Sequence, residues 1–190
     1  HVMGSSLAVS ESSQKACYKA GEIARDTDVT ITFDPNLRPE LLDVETIRRI
    51  CEPSLKVSRV ILPSRDEATM LTGTGDPVEA GKKLIKMGPE IAVIKMGAKG
   101  AVAVTSQEIL FEPSFEVSEV DPTGAGDVYD AAFVQGLLKG WPLRKTMEFA
   151  SGAGAIKVTK FGPMSGPSSI GEVEEFIRKT AKRSFPLETF

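Results

Sequence analysis

Short runs of β-branched and aliphatic residues alternate along this chain with longer segments in which apolar residues recur at helical spacing. Runs of the first kind are typical of buried strands, and segments of the second kind are typical of amphipathic helices. The pattern predicts strands at 2–3, 29–33, 60–62, 91–95, 101–105, 109–112 and 115–120. It predicts helices at 12–24, 44–51, 77–87, 128–139, 143–158 and 170–182, with a turn at 4–6 and a frayed tail from residue 184. Because strands and helices alternate, we expect a largely parallel sheet covered on both faces, in one domain spanning 1–190.

Composition narrows the function mainly by exclusion. The net charge of −3 argues against a nucleic-acid-binding protein, and no apolar run approaches the roughly 20 residues of a membrane-spanning helix. The amino-terminal residues show no signal-peptide pattern. Cys17 and Cys51 lie far apart without metal-ligand spacing, and His1 is the sole histidine. We therefore expect free thiols and a cytoplasmic protein, and we exclude a histidine-based catalytic triad.

The segment Asp121-Pro122-Thr123-Gly124-Ala125-Gly126-Asp127 stands directly before a predicted helix. Glycines at this point let a ligand approach the backbone, and the unpaired N–H groups of a first helical turn attract phosphate. Asp127 adds a carboxylate, and an anion site beside a carboxylate suits phosphoryl transfer to a hydroxyl. An ordinary helix cap has the same composition, so the segment alone leaves both interpretations open. The chain contains neither a Walker-type phosphate loop nor the Gly-x-Gly-x-x-Gly pattern of dinucleotide-binding oxidoreductases.

Arg38 and Glu67 each allow a structural and a functional interpretation. Arg38 follows a predicted strand that ends at Asp34-Pro35, where open α/β sheets bind ligands, and its guanidinium can hold a phosphate or a carboxylate. From the residues alone, an ion pair at the surface is the favoured interpretation of Arg38. Ser64 and Glu67 have the spacing of a helix capping box, which is the structural interpretation of Glu67. The functional interpretation is that the Glu67 carboxylate helps to hold Mg²⁺ through water.

Five segments together resemble the PfkB, or ribokinase-like, family of carbohydrate kinases. They are 33–38, 62–68, 94–100, 121–127 and 150–162. One of these segments is similar to the corresponding segment of 2-keto-3-deoxygluconate kinases and fructokinases. It reads Phe33-Asp34-Pro35-Asn36-Leu37-Arg38. The chain departs from the family pattern at Ser64, where asparagine is usual, and it resembles the carboxy-terminal two-thirds of such a kinase, without the amino-terminal part and its lid. The resemblance implies a three-layer α/β/α sandwich with a mostly parallel central sheet.

The resemblance also implies an activity, the ATP- and Mg²⁺-dependent phosphorylation of a sugar or sugar acid of the 2-keto-3-deoxygluconate, fructose or ribose class. Asp127 would be the base, and the amides of Gly124, Ala125, Gly126 and Asp127 would stabilise the transferred phosphoryl group. The other implied roles are nucleotide binding by Ser64, Lys95, Gly97, Gly100 and Ser151, substrate or phosphate binding by Arg38, water-mediated Mg²⁺ binding by Glu67, and binding of a monovalent cation such as K⁺ by Asp121, Thr123 and Gly162. The full-length protein would form a homodimer. The alternative is a nucleotide-binding module without catalysis, or an inactive fragment of such a kinase.

Overall fold

The computed structural model describes residues 1–37 and 42–184. Its strands lie in one sheet in chain order. They are β1 Val2–Met3, β2 Thr32–Asp34, β3 Val60–Ile61, β4 Ile91–Lys95, β5 Ala101–Thr105 and β6 Ile109–Glu112. The helices are α1 Gly4–Val9, α2 Glu11–Asp26, α3 Val44–Val57, α4 Arg65–Thr72, α5 Pro77–Lys86, α6 Ala125–Leu138, α7 Leu143–Val158 and α8 Ile170–Lys179. The first four strands pair in parallel, which confirms the predicted largely parallel sheet.

The described residues form two compact units. Residues 1–37, 42–95 and 102–109 make up the first, and residues 96–101 and 110–184 make up the second. The expectation of one domain over 1–190 stays a prediction.

The first unit is built around fully buried aliphatic and aromatic side chains of its strands, among them Phe33, Ile61, Val93 and Ile94. Two local predictions were wrong here. Residues 4–6 do not turn, because Gly4 begins α1 directly after β1. Helix α3 does not end at residue 51 but continues to Val57. Buried Leu55 extends its apolar face by a turn, and this burial outweighs the hydrogen bond that Pro53 cannot donate.

The second unit is dominated by helices α6, α7 and α8, whose contacts bury Phe133, Met147 and Ala150. Residues 115–120 do not form the predicted strand. Phe115 makes a single antiparallel bridge to Lys182, and its ring packs edge-on against Phe176 at a centroid distance of 5.3 Å. Helix α8 ends at Lys179, three residues before the predicted end, because the chain then extends alongside residues 114–116.

Candidate active site

The Asp121–Asp127 segment forms a tight turn that leads into α6. Helix α6 begins at Ala125, three residues earlier than predicted, and Gly124 is its N-cap. Gly124 has a φ of 82°, and a Cβ at this position would lie 2.6 Å from the carbonyl oxygen of Pro163. Both the left-handed backbone and the close approach of Pro163 therefore require glycine.

The first turn of α6 presents unpaired backbone donors. The amide of Ala125 bonds the carbonyl of Pro122 at 3.0 Å, and the amide of Val128 bonds that of Gly124 at 3.0 Å. Between them, the amides of Gly126 and Asp127 have no hydrogen-bond acceptor in the described part of the chain. The positive end of the helix dipole lies at the same place. Because Asp127 is exposed, the turn places these two amides beside an accessible carboxylate, an arrangement that is chemically suited to an anion.

Asp121 joins this turn to the loop that follows α7. One carboxylate oxygen accepts the Thr123 amide at 2.9 Å, and the other accepts the Gly162 amide at 2.8 Å. Hydrogen bonding from Thr123 has the largest effect on this carboxylate, and the bond from Gly162 follows. Together they lower the pKa of Asp121 to about 2. The structure thus brings together Asp121, Thr123 and Gly162, the three residues predicted to surround a monovalent cation. In this arrangement both carboxylate oxygens already accept backbone N–H groups.

The loop between α7 and α8 is held at its far end by Glu172. The Glu172 carboxylate accepts the backbone amide and the hydroxyl of Ser168 at 2.7 and 2.8 Å, and it pairs with Lys160 at 3.1 Å. The hydrogen bonds from Ser168 have the largest effect and the contact with Lys160 follows. Together they lower the pKa of Glu172 to about 2. Glu172 therefore fixes the segment that carries Gly162 and Pro163 beside the glycine turn.

We expect the Glu172→Gln variant to lose a pH-dependent part of its stability. The folded-state pKa of Glu172 lies below the ordinary value of 4.5, so the unfolded chain binds more protons between those two values. The stabilisation is complete above the ordinary pKa and is lost as the pH falls towards about 2. Urea unfolding should show a wild-type advantage at neutral pH that shrinks through this window. An advantage that is independent of pH would contradict the assignment.

In the first unit, polar side chains gather where the parallel strands end. Asp34 closes β2, Ser64 follows β3, and Lys95 closes β4, with Ser64 and Lys95 joined by a parallel bridge. The Lys95 ammonium lies 3.4 Å from the Asp34 carboxylate, and both side chains are largely buried. Two of the predicted nucleotide-binding residues, Ser64 and Lys95, thus lie side by side. Asp34 was not assigned a role from the sequence; its position at the end of a strand, directly before Pro35, was the available signal.

Glu67 has two structural partners. Its carboxylate accepts the Ser64 amide at 2.7 Å, which completes the predicted capping box with the Ser64 hydroxyl. The other oxygen accepts the Leu37 amide at 2.8 Å, a contact that the sequence did not predict. Each oxygen retains a second lone pair, so the side chain fits a water-mediated Mg²⁺ contact. Across residues 1–37 and 42–184, no group of three or more His, Cys, Asp or Glu side chains forms a ready metal cage.

Replacement of Glu67 by alanine should lower the free energy of unfolding by about 1–3 kcal/mol, because two partly buried amides lose a charged acceptor. Glu79→Ala is the matched control. Glu79 also lies in the first turn of a helix, but among the described residues its carboxylate contacts only the exposed ammonium of Lys82. We expect the control to change stability by less than about 0.5 kcal/mol in urea unfolding. Equal losses in the two variants would contradict the structural role of Glu67.

The remaining predicted residues occupy different settings. Gly97 begins a single 3₁₀ turn and has open space around it, whereas a Cβ on Gly100 would lie 2.1 Å from the carbonyl oxygen of Glu112. Gly100 therefore has a packing role that needs no ligand. Ser151 is buried within α7. Arg38 lies outside the described residues, and the nucleotide-binding roles of Gly97, Gly100 and Ser151 stay predictions.

Cys17 and Cys51 are both free, as expected. Within the part of the chain that the structure describes, no helix has the length and apolar character needed to cross a membrane.

Comparison with protein families gives a match over residues 1–170, to the model described as pfkB family carbohydrate kinase. A 2-dehydro-3-deoxygluconokinase of Thermoproteus tenax is 34% identical over 94% of this chain and 54% of the relative. A 5-dehydro-2-deoxygluconokinase of Geobacillus thermodenitrificans is 30% identical over 98% of this chain and 57% of the relative. The chain therefore spans about half the length of the curated relatives that it matches.

Comparison with solved structures shows that the backbone of this chain closely matches that of a known protein. A protein described as ribokinase II of E. coli, in complex with ATP and Mg²⁺, superposes with a TM-score of 0.87 at 34% identity. The superposition covers 94% of this chain and 58% of that chain. The ribokinase-like α/β fold that the resemblance implied is thereby confirmed.

Proposed function

Because the chain belongs to the pfkB family of carbohydrate kinases, we propose that it carries the phosphate-binding turn and the catalytic base of an ATP-dependent sugar or sugar-acid kinase. The predicted family is thus confirmed, while the activity of this chain is our inference. The single observation that carries it is the turn at α6: two unpaired amides, of Gly126 and Asp127, next to the exposed Asp127 carboxylate.

The chemistry follows from this arrangement. A hydroxyl is a weak nucleophile until a base accepts its proton, and an exposed carboxylate can do so as the bond to phosphorus forms. Negative charge on the transferring phosphoryl group is stabilised by donors that are fixed before the reaction, such as the Gly126 and Asp127 amides. Because the Pro163 carbonyl approaches Gly124 closely, the turn has little room to shift, and these donors need little rearrangement when a phosphate enters.

ATP, when bound, supplies the phosphoryl group, and Mg²⁺ would neutralise part of its charge. Glu67 would hold Mg²⁺ through water, and it orders Ser64 and Leu37 at the same time. Lys95 and Ser64, adjacent at the ends of β4 and β3, would contact the nucleotide. Arg38 would bind the phosphoryl group or a substrate carboxylate.

The names of two relatives support one substrate class over the others. Two of them act on deoxygluconates that carry a carboxylate, and a carboxylate would give Arg38 a partner with matching bidentate geometry. We therefore favour a sugar acid such as 2-dehydro-3-deoxygluconate over fructose or ribose. A homodimer of the full-length protein and a cytoplasmic location are part of the same proposal; the free thiols support the latter.

A substrate panel tests the proposal. The 190-residue chain and the full-length gene product are each incubated with ATP, Mg²⁺ and either 2-dehydro-3-deoxygluconate, 5-dehydro-2-deoxygluconate, fructose or ribose, and ADP formation is measured. We expect turnover by the full-length product with a deoxygluconate. ATP binding without turnover of any substrate would favour the alternative, a nucleotide-binding module without catalysis.

A further inference from the structure

The side chain of Lys157 places a fully buried ammonium group inside the second unit. Lys157 lies near the end of α7, and its side chain has no exposed surface. A buried charge is tolerated only where polar groups replace its lost hydration. The surroundings of this ammonium therefore show what the site is built to hold.

Oxygen atoms of the two joined loops surround the ammonium. It donates to the carbonyl of Asp121 at 2.7 Å and to the carbonyl of Lys160 at 3.3 Å. A carboxylate oxygen of Asp121 lies 4.0 Å away. Lys160 does not compete for these groups, because its own side chain extends to Glu172. The single positive charge of Lys157 is thus matched by two carbonyl dipoles and one negative charge.

This shell is the kind that a monovalent cation would occupy. K⁺ and an alkylammonium carry the same charge, are similar in size and prefer carbonyl and carboxylate oxygens. The sequence predicted such a cation among Asp121, Thr123 and Gly162, yet the Asp121 carbonyl already accepts the Lys157 ammonium. The Asp121 carboxylate is likewise engaged, by the amides of Thr123 and Gly162. Although these oxygens keep further lone pairs, a K⁺ bound to them would lie close to the Lys157 ammonium, with a single carboxylate to balance two positive charges. The cluster therefore does not fit an additional K⁺.

We propose that the Lys157 ammonium is the built-in cation of the Asp121 turn, and that it takes the place of the K⁺ predicted for this cluster. As a positioning residue, Lys157 binds the turn before the glycines of α6 to the loop that carries Gly162 and Pro163. The loop is then ordered in the absence of any free monovalent cation. Independence of phosphoryl transfer from K⁺ would follow as well, and this consequence rests on the proposed function.

Thermal unfolding in matched salts tests the assignment without any assay of catalysis. The melting temperatures of the wild-type chain and of Lys157→Ala, Lys157→Met and Lys139→Ala are measured in KCl and in tetramethylammonium chloride of equal ionic strength. Alanine leaves space for an ion, methionine fills that space with apolar atoms, and Lys139 is an exposed lysine after α6. Only the alanine variant should therefore respond to K⁺.

We expect the wild type and Lys139→Ala to melt at the same temperature in both salts. Lys157→Ala should melt lower in tetramethylammonium chloride and recover by about 2–4 °C or more in KCl, as a bound stabilising ion would cause in a chain of this length. Lys157→Met should stay low in both. Specific stabilisation of the wild type by K⁺, or an alanine variant that K⁺ does not rescue, would overturn the proposal.

Should Lys157→Ala not fold in either salt, the wild-type chain still decides. Reductive methylation of the folded protein, read by mass spectrometry, should modify the exposed lysines and leave Lys157 unmodified in both salts. Methylation of Lys157 in the folded chain would contradict the buried position on which the inference depends. Because neither measurement uses ATP or a sugar, failure of the proposed kinase activity would remain distinguishable from failure of this assignment.

Discussion

Replacement of Asp127 by asparagine is expected to lower phosphoryl transfer from ATP by about 10²–10⁴-fold, the contribution typical of a positioned general base. Asparagine keeps the size and the polarity of the side chain but cannot accept the hydroxyl proton. Because Asp127 is exposed and in the first turn of α6, the change should leave folding nearly unaffected. Steady-state measurement of kcat and KM with the full-length product separates a loss in the catalytic step from a loss in substrate binding. The loss should appear in kcat.

Glu45→Gln is the matched control for this experiment. Glu45 is also an exposed acid in the first turn of a helix, α3, so its replacement removes a comparable charge near a helix dipole. We expect kcat in the control to stay close to that of the wild type. An Asp127→Asn enzyme that retains most of its kcat would rule out Asp127 as the base, whatever the control shows.

Introduction of a single methyl group at Gly124 should damage the phosphate-binding turn. Alanine in the left-handed conformation costs about 1–2 kcal/mol, and its Cβ would lie 2.6 Å from the Pro163 carbonyl oxygen. The turn must shift to relieve this contact, which displaces the Gly126 and Asp127 amides. We expect Gly124→Ala to lower kcat/KM by at least about tenfold, which corresponds to about 1.4 kcal/mol of lost transition-state stabilisation.

Gly75→Ala provides the comparison, since Gly75 has no atom within 4 Å of an added Cβ and no left-handed backbone. Its kcat/KM and melting temperature should match those of the wild type. If Gly124→Ala lowered the melting temperature but left kcat/KM unchanged, the geometry of the turn would have no role in catalysis.

Features set by local rules could be predicted from the sequence. Helix α7 was predicted with the bounds that the structure has, because Pro142 starts it and its apolar spacing is regular throughout. The capping box of Ser64 and Glu67 needs only a spacing of three residues, and both of its hydrogen bonds are present. The Asp121–Asp127 turn was found for the same reason, since its glycines and the start of the helix lie next to one another in the chain.

Several contacts between residues distant in the sequence were missed. The strand predicted at 115–120 alternates correctly, but Phe115 packs on Phe176 and its backbone pairs with a residue 67 positions away. The bond from Leu37 to Glu67 joins residues 30 apart. The ammonium of Lys157 lies beside Asp121, 36 residues earlier, and a lysine in a helix normally indicates a solvated side chain. Sequence spacing carries no record of such approaches.

The central claim is that the Gly126 and Asp127 amides bind a phosphate beside the Asp127 carboxylate. The most direct measurement is the titration of the ¹⁵N-labelled chain with ATP and Mg²⁺, followed by the amide resonances of the two residues. We predict that these resonances show the largest downfield proton shifts in the second unit, and that Gly124→Ala reduces them. Saturable ATP binding that leaves both resonances unshifted would contradict the account.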